Sequence, residues 1–277
     1  MKTITFAHQD VVPALGQGTW YMGDDPSRKA DEVASLRRGV ELGMTLIDTA
    51  EMYGSGKSES VVGEAIAPIR DDVFLVSKVL PFNASHEGTL EACEASLSRL
   101  GTDRLDLYLL HWPGPHPLEE TIAAFEELQQ AGKIRHWGVS NFDPNDMTEL
   151  MSTQGGEQVA TNQVLYNLTR RGIEWDLLPQ SQEDGLPIMA YSPIEQARLL
   201  SKPELKSLAS DLDLTPAQLA LAWVIRESGI VAIPKAGTVA HVEENARTLE
   251  IDLNDETLYE LDRLFPPPTR ATSLAIL

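Results

Sequence analysis

The sequence predicts a single-domain α/β protein, a (β/α)₈ TIM barrel with a short N-terminal hairpin and a C-terminal tail. Three observations carry that prediction. Short apolar runs alternate with helical patterns along the chain in eight unbroken units. The runs end repeatedly on a polar side chain that does not belong in a core: Asp48, Lys78, His111 and Asn141 follow one another at spacings of 30, 33 and 30 residues, the length of one βα unit. Polar tips also recur nearly all the way round rather than at one switch point, which favours a barrel over a doubly wound sheet. In a parallel barrel every strand tip lies on one face, so these side chains are expected to converge.

Taken in order, Ile4 to Phe6 and Val11 to Pro13 read as a hairpin that could plug the barrel from below. Ala14 to Trp20 is the first barrel strand, with Gly16 and Gly18 where backbone must pass close to something. Pro26 to Gly43 is the first helix, with Val33, Leu36, Val40 and Leu42 on its apolar face and Gly43 as its stop. The second strand ends at Asp48, and a loop rich in Gly and Ser then presents Tyr53 before a helix begins at Ser58. Strand three is Val73 to Ser77, followed by helix His86 to Leu100; strand four is Leu105 to Leu110, followed by helix Leu118 to Ala131. Strand five, Ile134 to Val139, leads into a helix opened by Pro144, a residue favoured in the first helical turn. Strand six spans Val159 to Gln163, strand seven Pro187 to Tyr191 and strand eight Ile230 to Ile233. Helices Pro203 to Asp211 and Pro216 to Ser228 separate the last two strands, and helices Glu243 to Leu249 and Asp255 to Leu264 complete the pattern.

Composition excludes several classes of function. The chain has 277 residues, 42% of them hydrophobic, and no Gly/Ser/Pro linker or charge block divides it, so residues 1–277 read as one domain. The apolar runs are too short to span a membrane, and the N-terminus turns polar at His8, Gln9 and Asp10 without a signal-peptide pattern, so a cytoplasmic protein is expected. A formal net charge of −20 argues against nucleic acid or anionic membranes as partners. The acid excess reads either as a solvated surface or, with 14 Arg against 8 Lys, as the mark of a salt-rich cytoplasm. The lone Cys93 sits at helical spacing with Leu90, Leu97 and Leu100 and is expected to pack in the core.

Two nucleotide motifs fail on inspection. Gly16-Gln17-Gly18 would need Gly or Ala at Tyr21 to complete a dinucleotide fingerprint. Gly56-Lys57-Ser58 resembles the end of a P-loop, but Glu51 stands where that motif requires Gly, and a carboxylate beside phosphates would repel them. Metal hydrolysis is also disfavoured, because none of the six His residues forms an H-x-H or H-E-x-x-H pair. What remains at the tips is Asp, Tyr, Lys and His. Each taken alone reads as a surface salt bridge or satisfied rim residue, but together they suit a tuned phenol: an ammonium stabilises the phenolate, a carboxylate orients the ammonium, and the imidazole hydrogen-bonds a carbonyl.

Over nearly its whole length the sequence resembles an aldo-keto reductase. The resemblance lies in Gly18-Thr19-Trp20, Asp48-Thr49-Ala50 with Tyr53-Gly54, Ser77-Lys78, Leu110-His111-Trp112-Pro113, Gly138 to Phe142, Asn162-Gln163, Tyr191-Ser192-Pro193 and Ile233-Pro234-Lys235. It implies a barrel that binds NADPH without a Rossmann domain, with NADH as the lesser alternative. It further implies Tyr53 as proton donor, Lys78 as its modulator, Asp48 as the partner of Lys78 and His111 as the group that orients the carbonyl. Ser140, Asn141 and Gln163 would hold the carboxamide, Tyr191 would stack on the nicotinamide, and Thr19, Trp20 and Ser192 would complete the cofactor site. Lys235, His241, Glu244 and Asn245 would take the adenosine end. His241 and Ala236 stand where many members carry Arg and Ser, two positions that usually grip the 2′-phosphate.

Short loops after strands four and seven resemble the bacterial branch that reduces small aldehydes, dicarbonyls and keto-sugars. The expected pocket is small and aromatic, built from Trp20, Tyr53, His111 and Trp112, with Met52, Leu80 or Phe82 at its rim. A small carbonyl compound is the expected partner of a monomeric enzyme. A nucleotide-sensing regulatory subunit is the competing reading, and its mark would be a damaged tetrad, whereas here all four residues are present.

Overall fold

The computed structural model describes residues 1–6 and 10–277; His8 and Gln9 of the N-terminal turn lie outside the described residues. Eight parallel strands follow the chain without a crossover: β3 (Gln17–Gly18), β4 (Leu46–Asp48), β5 (Phe74–Val79), β6 (Leu105–Leu110), β7 (Ile134–Ser140), β8 (Asn162–Leu165), β9 (Ile188–Tyr191) and β10 (Ile230–Ala232). Bridges Leu15 to Ala232 and Gly18 to Lys235 join the first strand to the last and close the ring. The sequence of β6, Leu-Asp-Leu-Tyr-Leu-Leu, is buried at every position, as expected of a strand covered on both faces. The antiparallel hairpin of β1 (Thr3–Thr5) and β2 (Val11–Pro13) sits at the N-terminal end of the strands, where Phe6 packs 5.8 Å from Phe74 at the start of β5. That is the expected plug.

Helices form where caps and apolar stripes coincide. In α3 (His86–Leu100) the Ser85 hydroxyl accepts the Gly88 N–H at 3.1 Å, and Gly101 stops the helix at φ 63°, a conformation only glycine adopts without strain. Capping boxes start α5 (Pro144–Ser152) through Asp143 and Asp146, and α8 (Pro216–Val224) through Thr215 and Gln218, each with Pro in the first turn. The remaining helices are α1 (Lys29–Glu41), α2 (Lys57–Ile66), α4 (Leu118–Gln130), α6 (Leu177–Glu183), α7 (Pro203–Asp211), α9 (Val239–Ala246) and α10 (Asp255–Leu264). Among the described residues no helix is long and apolar enough to cross a membrane.

Several elements differ from expectation, among them α9, which starts at Val239 rather than Glu243, and α8, which ends at Val224 rather than Ser228. Strand six is shifted: β8 begins at Asn162 and runs on to Leu165, because its partners in β9 lie opposite Asn162 to Leu165. Helix α6 has no amphipathic signal in the sequence, and its seven residues include Pro179. Lys78 and Gln163 sit inside their strands rather than beyond the tips, which sets them deeper in the barrel mouth. The hairpin and the helices His86–Leu100, Pro203–Asp211 and Asp255–Leu264 agree with the sequence reading.

The seam that closes the ring explains the two early glycines. Gly16 and Gly18 donate backbone N–H groups to Ala232 O at 2.8 Å and Pro234 O at 3.0 Å. A Cβ at Gly18 would stand 2.6 Å from Ile233 O, and one at Gly16 would stand 2.9 Å from Leu46 O. Both contacts involve rigid backbone. Gly18→Ala should therefore lower the free energy of unfolding by about 1–3 kcal/mol, the usual cost of forcing extra volume into a packed site. Urea unfolding followed by tryptophan fluorescence measures this, and an unchanged midpoint would mean that the seam has slack.

Candidate active site

Four elements bring the expected tetrad together at the C-terminal mouth of the barrel. Asp48 ends β4, Tyr53 opens the short 3₁₀ turn Tyr53–Gly56 that follows it, Lys78 lies within β5, and His111 is the first residue after β6. Lys78 is fully buried. Its Nζ donates to Asp48 Oδ2 at 2.8 Å, to Thr49 O at 2.8 Å and to the Tyr53 hydroxyl oxygen at 3.2 Å. An ammonium has three donors, so every one is used. The other oxygen of Asp48 accepts from Gln163 Nε2 at 2.8 Å, which locks the carboxylate from the opposite side of the ring.

Electrostatics at this cluster depart from the sequence expectation in one respect. Burial pushes the Tyr53 phenol above its ordinary value; the Lys78 ammonium pulls it down and Asp48 pushes it up, and burial wins. The phenol is therefore held protonated rather than shifted toward neutrality. Burial also works against the Lys78 ammonium, but Asp48 and then Tyr53 outweigh it and raise its pKa. His111 behaves differently: burial, followed by the nearby Lys78 charge, depresses its pKa to about 2, so the ring is a neutral imidazole. Its Nδ1 is buried without a partner, which leaves Nε2 as the ring nitrogen available to a ligand.

A cavity of about 700 Å³ opens above the tetrad, walled by Trp20, Tyr53, His111 and Trp112 with Met52 at its edge. Ring contacts link the walls: Trp20 to Tyr53 at 6.4 Å, Tyr53 to His111 at 5.9 Å and His111 to Trp112 at 4.9 Å. Leu80 and Phe82 are not part of this wall, and Phe82 is 73% exposed; the loop carrying them folds away because Glu51 accepts the Leu80 N–H at 2.6 Å and the Asn83 amide at 3.1 Å. The cavity is also wider than the small pocket the short loops suggested. Its outer wall comes from the tail, Ser273, Leu274, Ile276 and Leu277, which no periodicity marks. The only hint in the sequence is the apolar Leu-Ala-Ile-Leu that follows a Pro-rich stretch.

The polar floor of the cavity is a continuous network. Ser140 Oγ donates to Gln163 O at 2.8 Å, Asn141 Nδ2 donates to Ser140 Oγ and to His111 O at 3.1 Å each, and the Tyr191 hydroxyl donates to Asn141 Oδ1 at 3.0 Å. Asn141 adopts φ 58°, a left-handed conformation that Asn tolerates better than most residues. Burial raises the Tyr191 phenol to about 12, opposed by the backbone of Leu277, so the tail reaches this ring as well.

From Tyr53 and Tyr191 a second cavity of about 440 Å³ runs as a groove toward Lys235. Gly18, Thr19 and Trp20 form one wall, and the segment 192–197 forms the other. That segment is compact but present: Glu195 is buried, where Asn167 Nδ2 donates to it at 2.8 Å and Arg170 Nη2 at 2.9 Å, and Ser192, Glu195, Gln196 and Ala197 all have positive φ. At the far end Lys235 is half-buried, Asn245 is buried in α9, and His241 is exposed on the first turn of that helix. Cys93 is buried in the core as expected, its thiol pushed up to about 12 by burial. Among the described residues no cluster of three or more His, Cys, Asp or Glu could hold a metal ion.

The sequence profile of the aldo/keto reductase family matches residues 14–265. The chain is 55% identical to methylglyoxal reductase YeaE of Escherichia coli K12 across 99% of its own length and 98% of that protein's. Two crystal structures of an aldo-keto reductase from Klebsiella pneumoniae, one in complex with NADP and acetate and one with NADPH, superpose with TM-scores of 0.98 at 53% identity, covering 100% of this chain and 99% of theirs. A barrel closed strand by strand, a Tyr, Lys, Asp and His cluster at its mouth, and likeness on this scale lead to one conclusion: the chain belongs to the aldo/keto reductase family.

Proposed function

We propose that this protein reduces small aldehydes and dicarbonyls to alcohols with NADPH, and that Tyr53 donates the proton. The observation that carries the reading is the Lys78 ammonium, fully buried and donating to both Asp48 and the Tyr53 hydroxyl oxygen. Burial keeps the phenol protonated, so its proton is there to be given, and an ammonium already bonded to its oxygen stabilises the phenolate left behind. Neutral His111, at the wall beside Tyr53, can donate one N–H to a carbonyl oxygen without adding charge. Trp20 and Trp112 put apolar rings on the walls of the same space. Likeness to a methylglyoxal reductase supports a small dicarbonyl as substrate.

The groove residues fit a dinucleotide. The tyrosine face at its inner end suits a nicotinamide ring, which Tyr191 would stack against while Ser140, Asn141 and Gln163, on the lining of the adjoining larger cavity, hold the carboxamide. Thr19, Trp20 and Ser192 would line the passage of the phosphates, and Lys235, His241, Glu244 and Asn245 would hold the adenosine end. When bound, NADPH supplies the hydride. This chain's residues place the carbonyl and deliver the proton.

Tyr53→Phe should retain NADPH binding while slowing reduction by roughly 10² to 10⁴, the range expected for loss of a general acid, and Lys78→Met should cause a similar loss. Single-turnover NADPH oxidation alongside cofactor titration measures both; a Tyr53→Phe protein within threefold of wild type would place the acid elsewhere. Methylglyoxal should show a higher kcat/KM than a steroid ketone, in line with the likeness to a methylglyoxal reductase, and the reverse order would sink the small-substrate reading. For His111, an unfolded imidazole takes up a proton near 6.5, whereas the folded one stays neutral until about 2. The folded state is therefore increasingly disfavoured as pH falls below about 6.5, and this group adds no pH dependence above 7. Ring ¹⁵N shifts of His111 should report a neutral imidazole down to pH 5; an imidazolium at pH 6 would contradict the burial argument.

A further inference from the structure

At its outer end the groove is lined by Lys235, and a second cation, Arg28, stands beside it. Lys235 lies just beyond β10, and Arg28 comes from the other end of the chain, where it ends the 3₁₀ turn Pro26–Arg28 and begins α1. A Cβ built on Gly237 would stand 2.8 Å from Arg28 Nη2 and 2.9 Å from Lys235 Nζ, so the two charges sit side by side over a residue that has no side chain. Neither side chain has a hydrogen-bond or ion-pair partner among the described residues. Asp25 feels the Arg28 charge and Glu32 acts on Lys235, but neither carboxylate forms an ion pair with them. Asp25 accepts the Ser27 N–H at 2.9 Å and the Ser27 hydroxyl at 2.7 Å, and buried Glu32 accepts the Gly23 N–H at 2.9 Å. Burial first and the Arg28 charge second depress the Lys235 pKa, with Glu32 only partly opposing them. In a chain of net charge −20, carboxylates are abundant, yet among the described residues none pairs with either cation. Adjacent unpaired cations repel and gain only when an anion bridges them.

We propose that Arg28 supplies the guanidinium that grips the 2′-phosphate of NADPH, acting with Lys235 across the gap at Gly237. The assignment rests on the NADPH reading above. It accounts for His241 and Ala236: the usual arginine and serine can be missing because the fork arrives from the β3–α1 connection instead. A guanidinium presents paired N–H donors to two phosphate oxygens while the ammonium acts as a point charge, so the two cations complement each other. Gly237 keeps the space between them open. NADH lacks this phosphate, so Arg28 is a residue that sets cofactor choice and takes no part in the chemistry.

Dissociation constants for NADPH and NADH, measured by quenching of tryptophan fluorescence at fixed ionic strength, test the assignment on wild type, Arg28→Ala and Arg28→Lys. Arg28 is exposed and unpartnered, so neither change threatens the fold. Arg28→Ala should weaken NADPH binding roughly 10- to 100-fold, the range for losing hydrogen bonds to a charged group, while NADH binding stays within threefold. Arg28→Lys should recover part of the loss, and the salt dependence of NADPH binding should be shallower in Arg28→Ala than in wild type. Equal weakening of both cofactors, or of neither, would overturn the role of Arg28. A wild-type protein that binds both cofactors equally would refute the NADPH reading and this assignment together. A wild-type preference that survives Arg28→Ala would overturn the assignment alone.

Discussion

Everything at the mouth of this barrel depends on one buried ammonium. Lys78 is buried away from solvent, and a charge in that position is tolerated only when its donors are all matched. Its acceptors come from β4, from the backbone just after it and from the turn beyond, and Asp48 is in turn fixed by Gln163 from β8 across the ring. The site therefore draws on strands from both sides of the ring, which the glycine seam at Gly16 and Gly18 helps to close.

Around this rigid centre the walls are built from less regular chain. Ser55, Asn141, Ser192, Glu195, Gln196 and Ala197 all have positive φ, and all lie on the loops at the C-terminal ends of the strands. Such backbone costs free energy and persists where surrounding contacts over-determine it. The grip on Glu195 by Asn167 and Arg170 shows how: a buried carboxylate anchors the segment from behind while its other residues face the groove. Bringing the C-terminal tail to Tyr191 extends the same logic, since the tail makes a wall that the short strand-to-helix loops do not supply.

The acidic surface sets the terms for an anionic ligand. A chain with net charge −20 repels a polyphosphate at long range, so affinity must come from a few cations at contact distance. Most arginines on this protein are already paired, among them Arg38, Arg70, Arg99, Arg104 and Arg171. Lys235, at the end of the groove, and Arg28 beside it form no ion pair among the described residues.

Much of this was legible in the sequence, for a reason that can be stated. Strand tips carry polar side chains at intervals of one βα unit, and parallel strands force equal tips onto one face, so Asp48, Lys78, His111 and Asn141 could be placed together from spacing alone. Helices with a cap at one end and a Gly or Pro signal at the other, such as His86–Leu100, were also readable, because capping is local chemistry. The register of β8 was not, since it is fixed by hydrogen bonds to β9, whose residues lie some distance along the chain. Nor was the raised pKa of Tyr53: sequence names the ammonium beside the phenol, but only packing decides that burial outweighs it. The tail over the cavity and Arg28 beside Lys235 share that character. The sequence determined which groups are available and which ends of strands they occupy; tertiary structure decided which groups lie within 3 Å of one another, because contact between distant segments depends on closure of the whole ring.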